Sequence, residues 1–141
     1  MRTANDIQRD IRKGVWGAQR KQVERELHRA YASDDPKLLP RALPFEAKRD
    51  RLWAVYFIHA PEVSRIKIGC SRDVNARIID LRIGSPCPLV PLGWVPGGKS
   101  VERMMHVDLE ESRTHGEWFD TDPRVLSYLR RFGVELDPLY L

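Results

Sequence analysis

The sequence predicts a small α/β domain of the α+β kind, in which a three-stranded antiparallel sheet is flanked by helices. Two short runs rich in β-branched and aromatic residues, separated by a brief polar loop, favour a hairpin. Later segments show helical periodicity, and a proline-bearing stretch separates them from a basic amino-terminal region. At 141 residues the chain is long enough for one self-sufficient core with an appendage.

Three strands are predicted for the sheet. Leu52–Ile58 and Arg65–Gly69 have strand composition, and His59–Ser64 is the loop between them, so an antiparallel hairpin is the economical interpretation. A third strand is predicted at Leu89–Val95, after two interrupting prolines and before a Pro-Gly-Gly turn. These three strands make up the predicted sheet.

Three helices are predicted around that sheet. The first covers Arg72–Ile83 with Ser71 as its N-cap, and the second covers Ser100–Ser112. The last helix covers Pro123–Phe132, since proline suits the first helical position. Between the second and last helices, Glu117–Phe119 is predicted to be a short extended piece.

The amino-terminal region is predicted to be helical and basic. Residues 6–31 carry two apolar stripes displaced by roughly half a turn, with Gly14 and Gly17 at the dislocation, which indicates two helices or one kinked helix. Basic residues recur every four positions on the second segment, at Lys21, Arg25 and Arg29. They form either a solvent-exposed face, in which neighbouring glutamates reduce the repulsion between the basic residues, or a stripe that binds successive phosphates.

Domain boundaries follow from prolines and charge. A polar stretch with three prolines predicts a linker, so residues 1–50 are expected to be a helical extension with its linker and residues 51–141 the main domain. Residues 1–52 hold 13 Lys+Arg against 8 Asp+Glu, and residues 53–141 hold 11 against 12. A basic arm on a near-neutral body favours a polyanionic partner such as nucleic acid.

The sequence also predicts where the protein is located and whether its cysteines are free. No run of about 18 apolar residues and no signal-peptide pattern is present, so no membrane partner and a cytoplasmic location are expected, the host cytoplasm if the gene is phage-borne. Cys70 and Cys87 lack both a disulfide framework and zinc-site spacing, and free thiols are expected.

The order of motifs resembles a known nuclease superfamily. Ala-Val-Tyr opens strand one, Lys-Ile-Gly closes strand two, and Arg77 follows Gly69 by eight residues. Glu102-x-x-x-His106 and the run His-Gly-Glu-Trp-Phe come later. Over roughly Leu52–Phe119 this arrangement is similar to the GIY-YIG nucleases, in particular their small, often phage-encoded branch. Ala-Val replaces the Gly-Ile before the first tyrosine, and a lysine replaces the second tyrosine.

The resemblance implies a DNA endonuclease that uses one divalent metal, Mg²⁺ or Mn²⁺. Glu102 would hold the metal, Arg77 would neutralise a phosphate and Tyr56 would be the general base. Lys67, on the neighbouring strand, is expected to lower the pKa of Tyr56, so that this pair activates water. His106 would orient a water, contact phosphate or support the carboxylate.

Two further residues complete the predicted site. Glu117 would support His106 or Arg77, and Arg72 is assigned to nucleic-acid binding together with the three basic residues of the extension. Each residue also has a plain structural interpretation: strand packing for Tyr56, an edge charge for Lys67 and a surface ion pair with Asp73 or Asp80 for Arg77. The competing function is a catalytically inactive regulator or inhibitor that keeps the fold and binds nucleic acid. Whether the protein forms a homodimer is left open.

Overall fold

The computed structural model describes residues 2–12, 20–33 and 35–140, with the side chains of residues 11, 12, 20, 21 and 140 excepted. Two compact units divide the chain, Met1–Pro40 and Arg41–Leu141. The assignment of residues 1–50 to an extension and 51–141 to a nuclease domain stays a prediction. No helix in the described ranges combines the length and apolar character that crossing a bilayer requires.

The amino-terminal unit contains two helices, α1 (Ala4–Arg12) and α2 (Arg20–Ala32). Apolar side chains of both helices are buried, as the displaced stripes predict; they include Ile7, Val23 and Leu27. Gly14 and Gly17, the predicted dislocation, lie outside the described residues.

The main unit contains five strands and three helices. The strands are β1 (Ala54–Ala60), β2 (Arg65–Ser71), β3 (Val90–Pro96), β4 (Arg113–His115) and β5 (Trp118–Asp120). The helices are α3 (Val74–Gly84), α4 (Lys99–Asp108) and α5 (Pro123–Arg130). All neighbouring strands are antiparallel, in the order β3-β1-β2-β5-β4.

The prediction of a three-stranded sheet is therefore wrong, although the fold is a mixed α+β fold. The two extra strands are only three residues long, too short for an alternating pattern to be read from the sequence. Gly116, with φ of +54°, lies in the turn between them, a backbone conformation that glycine adopts without strain. β5 then pairs with the first part of β2.

Helix starts and ends also differ from prediction. Asp73, not Ser71, caps α3, because its Oδ1 accepts the Ala76 backbone N–H at 3.0 Å. The Ser71 hydroxyl instead accepts the Asp73 N–H at 3.0 Å, which shapes the turn before the helix. α4 ends at Asp108, whereas the sequence predicts that this helix ends at Ser112.

Residues 41–50 are a packed part of the main unit, although the sequence assigns them to the proline-bearing linker. Leu43 exchanges backbone hydrogen bonds with Trp94 of β3, at 3.0 and 2.9 Å. Phe45 is buried in the core beside β1, and the Lys48 side chain, 1% exposed, donates to Asp50. This segment closes one face of the sheet.

Candidate active site

Tyr56 of β1 lies across from Gly69 of β2. A methyl group built on Gly69 would overlap the phenol of Tyr56 and come within 3.0 Å of Glu117 Oε2. The missing side chain therefore lets the phenol and the carboxylate approach the same point above β2. This close approach explains why a glycine is required at this position of the Lys-Ile-Gly motif.

The phenol of Tyr56 is buried, and its environment favours the protonated form. Burial is the main cause that raises its pKa, and the Glu117 carboxylate is the second. The charge of Arg77 lowers the pKa only in part, and Glu102 raises it. At neutral pH Tyr56 therefore keeps its proton. The expectation that Lys67 lowers this pKa is wrong.

Lys67 is paired with Glu117. Its Nζ lies 2.7 Å from Glu117 Oε2 and 5.5 Å from the centroid of the Trp118 ring, and its side chain is 12% exposed. The Glu117 carbonyl accepts the backbone N–H of Ile68 at 3.0 Å, which anchors the glutamate beside β2. Thus Lys67 is a largely buried charge with a fixed partner. Among the described residues Glu117 pairs with Lys67, whereas the sequence suggests Arg77 or His106.

Arg77 projects from the first turn of α3 and is exposed. Its backbone N–H donates to the Asp73 carbonyl at 3.1 Å. Within the described part of the chain, it forms no ion pair with Asp73 or Asp80, so the surface ion pair considered from the sequence is not formed. Its guanidinium charge is nevertheless close enough to lower the pKa of Tyr56. This leaves a planar cation available to bind phosphate next to the phenol.

Glu102 lies in the first turn of α4 and its side chain is 15% exposed. The pKa of the Cys70 thiol on β2 is raised to about 12, mainly by burial and then by the neighbouring Glu102 carboxylate. The thiol therefore stays protonated beside the glutamate. Cys70 is a free cysteine, as the sequence predicts, but the sequence does not predict its position beside Glu102.

His106, one turn after Glu102, is buried. Its Nε2 lies 2.7 Å from the carbonyl oxygen of Ile68. Because a carbonyl only accepts, Nε2 carries the hydrogen and Nδ1 faces Glu102, 4.0 Å from Oε1. The ring also packs on Phe119 at 5.1 Å between centroids. This geometry places His106 beside the Glu102 carboxylate and fixes α4 to β2.

The predicted residues of the main unit thus surround the second half of β2. β5 pairs with Arg65–Lys67 of β2 only, and the remaining part of β2 lies next to α4. Tyr56 responds electrostatically to Arg77, Glu102 and Glu117, so the four side chains belong to one site. The structure therefore brings together residues from β1, β2, α3, α4 and the turn before β5.

The described part of the chain offers few candidate metal ligands. Among the described residues there is no group of three or more His, Cys, Asp or Glu side chains that could hold a metal ion. One carboxylate, Glu102, still fits Mg²⁺, an ion that keeps most of its waters and takes substrate phosphate as a ligand. The residues present thus suit a hydrated ion and do not form a closed protein cage.

The basic residues assigned to nucleic-acid binding lie in both units. Arg25 and Arg29 are exposed on α2, whereas the side chain of Lys21 lies outside the described part. Arg72 is exposed just before α3, where its Nε donates to the Arg51 carbonyl at 2.9 Å. Their role in binding stays a prediction.

Comparison with known proteins gives one finding. No curated protein and no solved structure matches this chain. A family model described as the T5orf172 domain matches residues 54–132, from β1 to just beyond α5. This match covers more than half of the sequence and includes Tyr56, Lys67, Arg77, Glu102 and Glu117. The chain therefore belongs to the T5orf172 domain family.

Proposed function

We propose that this protein is a metal-dependent endonuclease of the GIY-YIG type that hydrolyses DNA phosphodiester bonds. The observation that carries the proposal is the grouping of Tyr56, Arg77 and Glu102 around the end of β2. Membership of the phage-associated T5orf172 family is compatible with a nuclease-like or DNA-binding role.

Each residue has a chemical role in this proposal. Arg77 presents two N–H donors to non-bridging phosphate oxygens and offsets the charge that grows on them. Glu102 would hold Mg²⁺ or Mn²⁺, and such an ion would supply further charge neutralisation for the phosphate and the leaving oxygen. Cys70 and His106 border the Glu102 carboxylate.

The raised pKa of Tyr56 determines how water is activated. A standing phenolate is disfavoured, so we assign a concerted proton relay in which the Tyr56 oxygen takes a proton from water as its own proton passes to Glu117. The water oxygen forms a bond to phosphorus, and the bond to the leaving alkoxide breaks. Lys67 keeps the Glu117 carboxylate next to the phenol. Because Tyr56 stays neutral throughout, its raised pKa does not prevent the reaction.

The raised pKa of Tyr56 and the paired charge of Lys67 also favour a second function. A tyrosine that keeps its proton, next to a lysine whose charge is paired, also suits a protein that binds nucleic acid without cutting it. Such a protein would act as a regulator or inhibitor. It would not require Glu102 or Arg77 for its activity.

One experiment separates the two functions. Supercoiled, linear and single-stranded DNA are incubated with the protein and Mg²⁺ or Mn²⁺, alongside Glu102→Gln, Arg77→Ala and the control Glu62→Gln. Glu62 is exposed in the turn between β1 and β2, at the opposite end of the hairpin. Each site variant should lose about 100-fold or more in cleavage rate, whereas the control should match wild type.

The outcomes are distinct. Cleavage that survives in both site variants would overturn the site. Binding without cleavage by the wild-type protein would identify the regulator.

A further inference from the structure

An exposed aromatic side chain stands at the end of the sheet nearest the candidate active site. Trp53, immediately before β1, is 39% exposed, and its carbonyl accepts the backbone N–H of Gly97 at 3.2 Å. The guanidinium carbon of Arg72 lies 5.9 Å from the centroid of the indole ring. The Arg72 Nε also donates to the Arg51 carbonyl, which fixes the guanidinium over the ring. Together Trp53 and Arg72 form what we call the Trp53–Arg72 platform.

Positive charge surrounds this platform. Arg49, Arg51 and Lys99 are all exposed at the same end of the main unit. The acidic residues nearby have internal partners: Asp50 Oδ1 accepts from Lys48 and from a backbone N–H. Asp73 Oδ1 caps α3. The local surface is therefore cationic with a flat aromatic centre, which matches a polyanion that carries planar groups.

The platform adjoins the candidate active site along two elements. Arg72 precedes Arg77 by five residues at the start of α3. Lys99 begins α4 three residues before Glu102, and its charge acts on Cys70, the thiol beside Glu102. A polyanion that reaches Arg77 and Glu102 would pass the platform.

We propose that the Trp53–Arg72 platform stacks an unpaired base of the nucleic acid to be cut, so that the substrate contains unpaired nucleotides beside the cleaved bond. This inference rests on the proposed nuclease function. Aromatic rings and guanidinium planes accept any base by stacking, and a stacked base must first leave the duplex. The surrounding arginines and Lys99 bind the phosphates of the same strand.

The test measures binding alone, with the full-length protein in EDTA so that no strand is cut. Fluorescent oligonucleotides of one sequence are compared as single strand, gapped duplex and intact duplex. Trp53→Ala should weaken binding of the single strand and the gapped duplex by about tenfold or more, and of the intact duplex by about twofold or less. Trp53→Phe should keep most of the affinity, since it keeps a ring. Arg72→Met should weaken binding and reduce the salt slope by about 1.

A matched control is Val63→Ala. Val63 is an exposed apolar residue in the turn at the far end of the same hairpin, and its substitution should change no affinity. Circular dichroism of each variant verifies the fold. A Trp53→Ala protein that binds all three probes as wild type does, or loses affinity equally for all three, would overturn the platform. So would a wild-type protein that binds none of the probes.

Failure of the nuclease proposal would look different. A protein that shows Trp53-dependent binding in EDTA but cuts no DNA with Mg²⁺ or Mn²⁺ would retain the platform and lose the assigned catalysis. Tight binding of the wild-type protein to a protein partner but not to nucleic acid, lost in Trp53→Ala, would instead assign the exposed ring to a protein interface, and the platform would be rejected.

Discussion

The ammonium group of Lys67 lies 2.7 Å from Glu117 Oε2, so its positive charge is directed at a carboxylate and not at the phenol of Tyr56. The two residues are 50 positions apart in the sequence and meet because β5 pairs with β2. Glu117 is thereby placed where it raises the pKa of Tyr56. In the proposed mechanism, water activation therefore depends on Tyr56, Lys67 and Glu117 and not on Tyr56 and Lys67 alone.

Replacing Glu117 tests this dependence. In Glu117→Gln one cause of the raised pKa is removed, so Tyr56 should titrate at a lower pH than in the wild-type protein. The rate of DNA cleavage should nevertheless fall, by about 100-fold, because the proton acceptor of the relay is lost. Tyrosinate absorbance against pH, with Tyr56→Phe identifying the transition, measures the first effect, and cleavage kinetics measure the second.

The control for that variant is Glu110→Gln, since Glu110 is exposed after α4 and pairs with Arg113. It should leave both measurements unchanged. A Glu117→Gln protein that cuts faster than wild type at neutral pH would mean that the carboxylate only holds the phenol proton in place, and the relay would be abandoned.

Gly69 offers a steric test of the same site. In Gly69→Ala the new methyl group overlaps the Tyr56 phenol, so we expect a loss of about 1–3 kcal/mol in the free energy of unfolding and a large loss of cleavage. Gly84→Ala is the matched control, because no atom lies within 4 Å of its added methyl group. Urea unfolding and cleavage assays compare the two. Equal effects of the two substitutions would contradict the close approach.

Much of this arrangement could be predicted from the sequence. Local patterns predicted the hairpin, α3 and α4, and the motif order singled out Tyr56, Arg77 and Glu102. The charges of Arg77 and Glu102 act on Tyr56, and the assignment of these residues to an active site stays a prediction. Such patterns are local: each depends on residue types within about a dozen positions. The family match over residues 54–132 covers the same elements.

The remainder depends on long-range contacts that no local pattern encodes. The strands β4 and β5 contain three residues each, and they are held by pairing with β2 more than by their own propensity. The partner of Lys67 follows from that pairing. The direction of the Tyr56 pKa follows mainly from burial, which depends on packing by segments such as Phe45 that the sequence assigns to a linker.

Asp108 is a smaller example. On a helical wheel it falls within the apolar face of α4, which the sequence does not explain. In the structure its Oδ2 accepts a hydrogen bond of 2.9 Å from the hydroxyl of Tyr128 on α5. Asp108 is exposed and pairs with a residue of another helix, a contact that the helical wheel of α4 alone does not predict.

His106 is expected to matter for stability and for the metal response. His106→Phe leaves the Ile68 carbonyl without its Nε2–H donor, and the free energy of unfolding should fall by about 1–3 kcal/mol. Because Nδ1 faces Glu102, the Mg²⁺ concentration for half-maximal cleavage should also rise. His115→Phe, an exposed histidine on β4, is the control and should alter neither value. An unchanged Mg²⁺ response in His106→Phe would confine this histidine to packing.

Two truncations distinguish the DNA-binding contribution of the amino-terminal unit from the structural contribution of residues 41–50. Removing residues 1–40 deletes the exposed Arg25 and Arg29, so DNA affinity should fall and its salt dependence should flatten, because fewer counterions are released. Thermal unfolding of the remaining unit should stay cooperative. Fluorescence anisotropy over a salt series measures the first effect.

Removing residues 1–50 should in addition destabilise the main unit. It also deletes Phe45, whose ring meets the Tyr56 ring edge-on at 6.2 Å between centroids, and Lys48, whose Nζ donates to the Arg72 carbonyl at 3.1 Å. Loss of a buried phenylalanine alone costs about 3–5 kcal/mol, a large fraction of the stability of a small domain. We therefore expect the longer truncation to unfold at a much lower temperature and to lose cleavage, whereas the shorter one keeps both. Equal thermal stability of the two truncated proteins would show that residues 41–50 are only a linker, as the polar stretch with Pro36, Pro40 and Pro44 predicts.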